Sequence, residues 1–402
     1  MNLGSNGLEN LKKSMPTRSE EAWKYTSLTD FKKVSWNFKS DMQTHLSHDQ
    51  LLQLSKHLPS DFYNIVFVNG DLNQTLSDNL GADVEINNIL DTDLVVSEKH
   101  VEKNVLKFAN VCLKNKITVT IQEGRVFEKP LHLLFVSSEK VPYFLSQKVD
   151  IQVGKKSELS ILTQSINLDE TTQNGFDLNL NLNIQENSNV KLIQIQNENS
   201  LSYHFAQTEI KLLSNSFLTA FTMSLGGLLS RHYMHLEFVG QNADAGVFGL
   251  TALNTNQHSD HYTFIQHSVG GNNSKQLYKS ILSDASHSVF RGRVRIEQDA
   301  QKANSEQLNN NLLLTREAQA DSIPQLEIYA DDVKAGHGST VGQLDKEEIF
   351  YFLSRGINQF EAVKILSFGY AQELIYKFEN KAIQEWLLKI IHQKLDRMIS
   401  HV

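Results

Sequence analysis

The 402-residue sequence has one cysteine, Cys112, and only five prolines. A single thiol excludes an internal disulfide framework and any metal or cluster site built from several thiolates of this chain. Long apolar runs are also missing. The best candidate for a membrane span, Phe217 to Leu229, falls short of the roughly 20 residues a bilayer needs and is interrupted by Thr and Ser. Positive charge is not in excess: the formal net charge is −8 and no basic patch is evident. Non-specific nucleic-acid binding, which relies on cations displacing counterions from phosphate, is therefore not expected. The first residues lack the apolar core of a secretion signal, so no membrane association and a soluble, cytoplasmic location are expected. Phosphate-loop, dinucleotide-binding, nucleophile-elbow and H-E-x-x-H patterns are all absent, which leaves any nucleotide hydrolysis to another chain.

What the sequence does contain is a repeat. Short polar turns open at Glu123 (EGRVFE), Gly154 (GKKSEL), Gln185 (QENSNV), Leu213 (LSNSFL), Gly240 (GQNADA), Gly270 (GGNNSK), Gln298 (QDAQKA) and Ala330 (ADDVKA). Successive starts lie 31, 31, 28, 27, 30, 28 and 32 residues apart, a regularity typical of stacked architectures. The segments between them alternate. Leu178, Leu180, Leu182 and Ile184 share one face of a strand whose other face carries Asn179, Asn181 and Asn183. The same spacing groups Ile117, Val119 and Ile121, then Val149, Ile151 and Val153, then Met234, Leu236 and Phe238. A mainly β fold follows, a β-helix of stacked rungs over residues 101–344, with a β-sandwich as the alternative because it shows the same alternation.

Both ends depart from this pattern. Residues 1–100 read as a mixed region, with a helix predicted from Met42 to Leu58 and a strand from Tyr63 to Gly70. Residues 345–402 read as helical: Asp345 and Glu348 form a start signal, Gly356 a stop, and Asn358 with Glu361 a second start. Ile383, Leu387, Ile390, Ile391, Leu395 and Met398 line one face of a further helix. Terminal helices of this kind are expected to cap an otherwise adhesive solenoid.

Chemistry-bearing residues are scattered. His258, Asp260, His261 and His267 are the densest metal-capable group, yet in a strand His258 and His261 point to opposite faces. His232 and His235 are split in the same way. Asp284, Arg291, Arg293 and Asp299 would be the raw material of a polysaccharide-cleaving β-helix. In "DDVKAGHGSTVGQL" (Asp331 to Leu344), His337 stands between two glycines, a pattern that suits either a presented imidazole or an ordinary turn. A lone histidine does not hold a transition metal firmly, so a metal at His337 requires ligands from a second polypeptide or an exchangeable cofactor.

That stretch, followed by "FYFLSRGI" (Phe350 to Ile357), resembles the C-terminal signature of the SufB/SufD family of iron–sulfur cluster assembly proteins. "FRGRVRIEQDAQKANSEQLNNNLLLT" from Phe290, "DSIPQLEIYADDVKAGHG" from Asp321 and "PTRSEEAWKYTSL" from Pro16 are similar to further blocks of that family. The scarcity of cysteine sets the chain apart from SufB, the member with the cluster-binding thiolates. The resemblance implies a right-handed parallel β-helix with helical ends. It also implies a non-enzymatic scaffold subunit of a SufBCD-type complex that pairs with SufB through the end of the β-helix and docks the SufC ATPase on the C-terminal helices. Under it, His337 aligns with a histidine facing SufB, where iron or a nascent cluster is held transiently, and no cofactor is held stably by this chain alone. Some relatives carry cysteine where Ala335 stands. Arg355, Gly356, Leu366 and Phe368 fall in the implied ATPase-docking region, and a homodimer of the isolated chain is also open. Two rival readings remain: a self-associating β-helix that binds iron unaided, and a carbohydrate-active β-helix.

Overall fold

The computed structural model describes residues 12–13, 15–37, 45–81, 84–89 and 113–399. A 3-10 turn (Glu21–Trp23) and two short helices, α1 (Thr29–Lys33) and α2 (His48–Ser55), precede β1 (Tyr63–Val68), β2 (Asp71–Leu72) and β3 (Val84–Ile89). The repeat region supplies β4 (Leu113–Ile121), β5 (Leu131–Ser137), β6 (Tyr143–Val153), β7 (Glu158–Asn167), β8 (Asn174–Ile184), β9 (Asn189–Asn197), β10 (Tyr203–Leu212) and β11 (Phe217–Ser224). It continues through β12 (Leu229–Phe238), β13 (Asp244–Leu253), β14 (His258–His267), β15 (Asn273–Leu282), β16 (His287–Ile296), β17 (Asn304–Leu313), β18 (Gln319–Ile328) and β19 (Lys334–Gly342). Three helices follow: α3 (Lys346–Ser354), α4 (Gln359–Ile375) and α5 (Lys381–Ile399). Cys112 and the 100/101 boundary lie outside the described residues, as do residues 42–44 of the longer helix expected before β1.

From β4 to β18 the even strands form one sheet, and from β5 to β19 the odd strands form the other. Each strand pairs in parallel with the strand two places along the chain, in register except for a shift between Leu113 and Lys116 at the start of β4. Two strands per turn make a parallel β-solenoid of about eight turns, as the turn spacing implies. Parallel pairing throughout the repeat excludes the sandwich, whose sheets are antiparallel. The faces read from the sequence are those that turn inward: Leu178, Leu180, Leu182, Ile184, Met234, Leu236 and Phe238 all lie in one buried core between the sheets.

The turns explain why polar residues recur at fixed places. Gly124, Lys156, Asn187, Asn215, Asn242 and Lys302 all have φ between 55° and 71°. This left-handed conformation is open to glycine and tolerated by asparagine, whose short side chain bonds locally. It aims the backbone N–H along the solenoid axis, so that Asn187 donates to the Ser214 carbonyl at 3.1 Å and Asn215 to Gln241 at 3.0 Å. The corners are thus hydrogen-bonded from rung to rung, like the strands.

Both termini lie lengthwise on the solenoid. The N-terminal segment crosses the outer face of the even sheet, where the Phe31 ring meets Phe144, Tyr203 and Phe205 at 5.7, 5.2 and 5.3 Å. Further along, Arg231 stacks on Trp23 at 3.9 Å and bonds to Asp260, which also accepts from Thr26. The C-terminal helices do the same on the odd sheet: Phe378 packs on Phe221, and Trp386 meets Phe62 and His132 edge-on at 5.3 and 5.4 Å. This corrects the expected cap. An amphipathic face such as Ile383, Leu387, Ile391 and Leu395 needs an apolar surface, and the outer face of the odd sheet (Ile193, Phe221, Leu250, Ile281) provides a larger one than the end of a tube. The start signal of α3 also differs in detail, since Asp345 accepts from the Glu347 N–H at 2.9 Å and no reciprocal contact from Glu348 forms.

Polar groups share the interior. His204, His232 and His261 stack at centroid spacings of 5.0 and 4.8 Å, the Ser224 hydroxyl sits 3.1 Å from Nε2 of both His232 and His261, and His204 Nδ1 meets Glu198 at 2.7 Å. Burial, followed by the neighbouring imidazole of His261, holds His232 well below its ordinary pKa. Burial likewise lowers His261, His258 and His267 to about 4.

Two outcomes follow. The imidazoles of His232, His258, His261 and His267 are neutral when folded and bind protons when unfolded, so their contribution is complete above pH 6.5 and is lost as pH falls toward 4. For each of the three residues lowered to about 4, the loss by pH 5 is roughly 2 kcal/mol. Urea titrations at pH 7 and pH 5 are expected to show a sharp fall in midpoint, and equal midpoints would contradict neutral burial. Inside the tube, a Cβ at Gly249 would lie 2.1 Å from the Tyr278 ring. Gly249→Val is expected to cost about 1–3 kcal/mol through overpacking, read as a lower thermal midpoint.

Candidate functional site

The solenoid repeats by handing each strand's backbone donors and acceptors to the next rung, and the last rung has no successor. Among the described residues, β18 is the outermost strand of the even sheet and β19 of the odd sheet. Their side chains are correspondingly uncovered. No residue of β18 or β19 is fully buried, whereas β16 one rung back is largely buried. Two adjacent open strand edges at one end of a tube form a ready template for strand addition by another chain.

His337 stands in the middle of β19, in a strand and not in the turn, which comes earlier, around Asp331 to Val333. Gly336 and Gly338 have no left-handed φ, so their role is to strip side chains from the outward face of the strand. In register, His337 lies over Gln307 and Ala335 over Ser305. Gln307 is only 1% exposed and donates to Gln276 Oε1 at 2.6 Å, while Gln276 donates to Thr263 on the facing sheet. The register therefore puts His337 on the side that faces the mouth of the tube. It caps a column of inward polar groups, and the Gln307 Oε1 one rung below has no partner. Among the described residues no three His, Cys, Asp or Glu side chains are grouped to hold a metal ion. An iron or cluster at His337 would thus need its other ligands from elsewhere.

The other expected site residues lie on the helices that follow. Gly356, at φ 82°, ends α3: its N–H donates to the Leu353 carbonyl at 3.0 Å, and the Ile357 N–H donates to Phe352 at 3.1 Å. That is a helix-stop motif, and the glycine is needed for its left-handed angle. Arg355 is exposed, with its guanidinium 5.2 Å from the Tyr351 ring centre. Leu366 is half-buried on α4, whereas Phe368 packs into the helix–sheet core and meets the His392 ring edge-on at 5.5 Å. Sequence reasoning missed the apolar surface beside them. Helix α3 buries no residue at all, and Phe350 (69% exposed), Tyr351 and Leu353 project from it, joined by Phe360 and Ile365 on α4. The signal was available, because α3 carries more large apolar residues than a free-standing helix requires.

The remaining candidates do not converge. His258 and Asp260 face outward to Thr26, while His261 and His267 face inward to Ser224 and Ser274, the split that strand parity requires. Arg291 bonds the Glu21 carbonyl, Arg293 pairs with Glu327, and Asp284 accepts from the Thr255 N–H at a corner, so no acid–base pair assembles. No helix among the described residues is long and apolar enough to cross a membrane.

Residues 135–370 match the family described as the SufBD core domain of the SUF system for FeS cluster assembly. The iron–sulfur cluster assembly protein SufD of Escherichia coli K12 is 31% identical over 96% of this chain and 90% of its own length. An iron–sulfur cluster assembly SufBD family protein of Synechocystis is 27% identical over 92% of this chain and 85% of its own. With a core-family match over more than half its length and a near full-length relative, the chain belongs to the SufB/SufD family, on its SufD side, and has a role in iron–sulfur cluster assembly.

Proposed function

We propose that this chain is a non-catalytic, cytoplasmic scaffold subunit of a SufBCD-type complex, joined to SufB through its last rung and to the SufC ATPase through its C-terminal helices. The observation that carries the reading is the open terminal rung with His337 at its mouth. A SufB strand added to β18 or β19 meets the orphan backbone groups and brings in the ligands that His337 lacks. Iron, or a cluster being assembled, is the cargo of this composite site and no resident cofactor. A mixed thiolate–imidazole set binds more weakly than four thiolates and raises the cluster potential, which suits a place where clusters are built and released. Ala335, in register with Ser305, offers no sulfur of its own, so thiolates come from the partner.

The exposed faces of α3 and α4 are the docking surface for SufC. Phe350, Tyr351 and Leu353 supply the apolar contact, Arg355 and Leu366 lie beside it, and Gly356 and Phe368 set the angle and seating of the helices. ATP-driven movement of a docked ATPase shifts the SufB interface only insofar as the two nucleotide states bind its arrangements with different affinity. In the absence of SufB, the same edges permit a homodimer.

Co-expression with SufB and SufC, anaerobic purification and measurement of subunit ratio, iron, sulfide and ATPase activity test the whole reading; a chain that elutes alone removes it. Within the complex, His337→Ala is expected to keep the subunit ratio and to slow cluster formation by roughly tenfold or more, in line with loss of one ligand of a metal site. Formation at the parent rate excludes the ligand role. Separately, Phe350→Asp with Tyr351→Asp is expected to weaken SufC retention by at least roughly tenfold, as loss of exposed aromatic anchors does, while SufB stays bound. Retention of SufC at the parent level moves the ATPase site elsewhere.

A further inference from the structure

Where α5 runs along the rim at which β7 and β9 end, it encloses with α2 a cleft of about 660 Å³. None of its walls comes from β18, β19 or α3. In a chain of net charge −8, this cleft has the opposite sign. Lys56, at the end of α2, and Lys389 and Arg397, on α5, line it. The ammonium groups of Lys56 and Lys389 make no ion pair or hydrogen bond among the described residues. Two carboxylates are on the walls, but Asp396 is already engaged by Lys364 and, at 3.0 Å, by His392, so it does not offset Lys56 and Lys389.

The groups behind the wall respond to that field. His57 accepts at Nδ1 from Gln164 Nε2 at 3.3 Å and is held below its ordinary pKa first by burial and then by the charges of Lys56 and Lys389. Asn167, whose Oδ1 accepts from the Asn199 N–H at 2.9 Å, leaves its amide nitrogen without an acceptor. Trp386 adds a half-buried indole to the wall, braced edge-on by Phe62 and His132. The cleft's volume, two unpaired ammonium groups, a spare donor and one braced aromatic ring are the makings of a site for a small anion, since an apolar ligand would leave those cations desolvated.

We propose that this cleft binds a phosphate-bearing small molecule, with Lys56 and Lys389 on its phosphates and Trp386 against any ring it carries. It is a second site on the chain, remote in sequence and structure from the terminal rung. Its occupant bridges α2 to α5 and so fastens the C-terminal helices to the first rungs.

Isothermal titration of the isolated full chain, in magnesium-free buffer without any ATPase, tests this with pyrophosphate, ATP and adenosine. Saturable binding of pyrophosphate and ATP with similar strength supports a site for the phosphates alone, and tighter ATP supports an added ring contact at Trp386. In the Lys56→Glu/Lys389→Glu variant, binding is expected to weaken by roughly tenfold or more, as for loss of charge-assisted phosphate contacts, while Lys346→Glu on α3 binds like the parent. Both variants should unfold at the parent temperature. No binding of either phosphate compound, adenosine binding as tightly as ATP, or binding unchanged by the double reversal overturns the proposal.

Discussion

In a parallel solenoid each rung's backbone groups are satisfied by its neighbours, and this dependence runs through the whole structure. It sets the register of sixteen stacked strands, places left-handed residues at recurring corners, and commits inward side chains to columns of like kind. Apolar columns give most of the core, but a column of His204, His232 and His261 is equally well accommodated because stacked imidazoles find Ser224 and Thr251 within 3.1 Å. The same dependence leaves the ends unsatisfied. At the start of the tube β3 closes the even sheet in antiparallel fashion and β2 turns back on β1. No comparable device follows β18 and β19 among the described residues, and that asymmetry leaves open strand edges at one end.

Much of this was readable in the residues. The turn spacing carried the solenoid because a left-handed corner recurs at a regular interval, as at Gly124, Asn187, Asn215 and Asn242, and Leu178 to Ile184 carried the inner face because strand side chains alternate. Strand parity also separates His258 from His261, as their partners Thr26 and Ser224 on opposite faces show. The seating of the helices was less accessible. Ile383, Leu387, Ile391 and Leu395 announce a buried face but not what buries it, and the choice between tube end and sheet face depends on Ile193, Phe221 and Leu250 more than a hundred residues earlier.

The site was legible in part. His337 stood out by its glycine neighbours, and the structure changes what those glycines do, from permitting a turn to baring a strand. The apolar surface of α3 and the basic cleft were not found from the sequence, for different reasons. Phe350, Tyr351 and Leu353 look like core residues until the packing shows nothing over them. Lys56, Asn167 and Lys389 are unremarkable separately, and only the path of α5 along the strand ends brings them to one place.

Under the proposed pairing, the inward position of His337 would set an order of events. A group on the outside of a protein can be reached while a partner is attached, whereas one at the mouth of a tube is shut in once the mouth is covered. With Gln307 filling the bore one rung below, there is no route from behind. Under the proposed pairing, anything held there would have to be loaded before the partner seats and could leave only when it parts, so traffic through this position would be timed by the opening of the interface and not by how tightly the imidazole holds on.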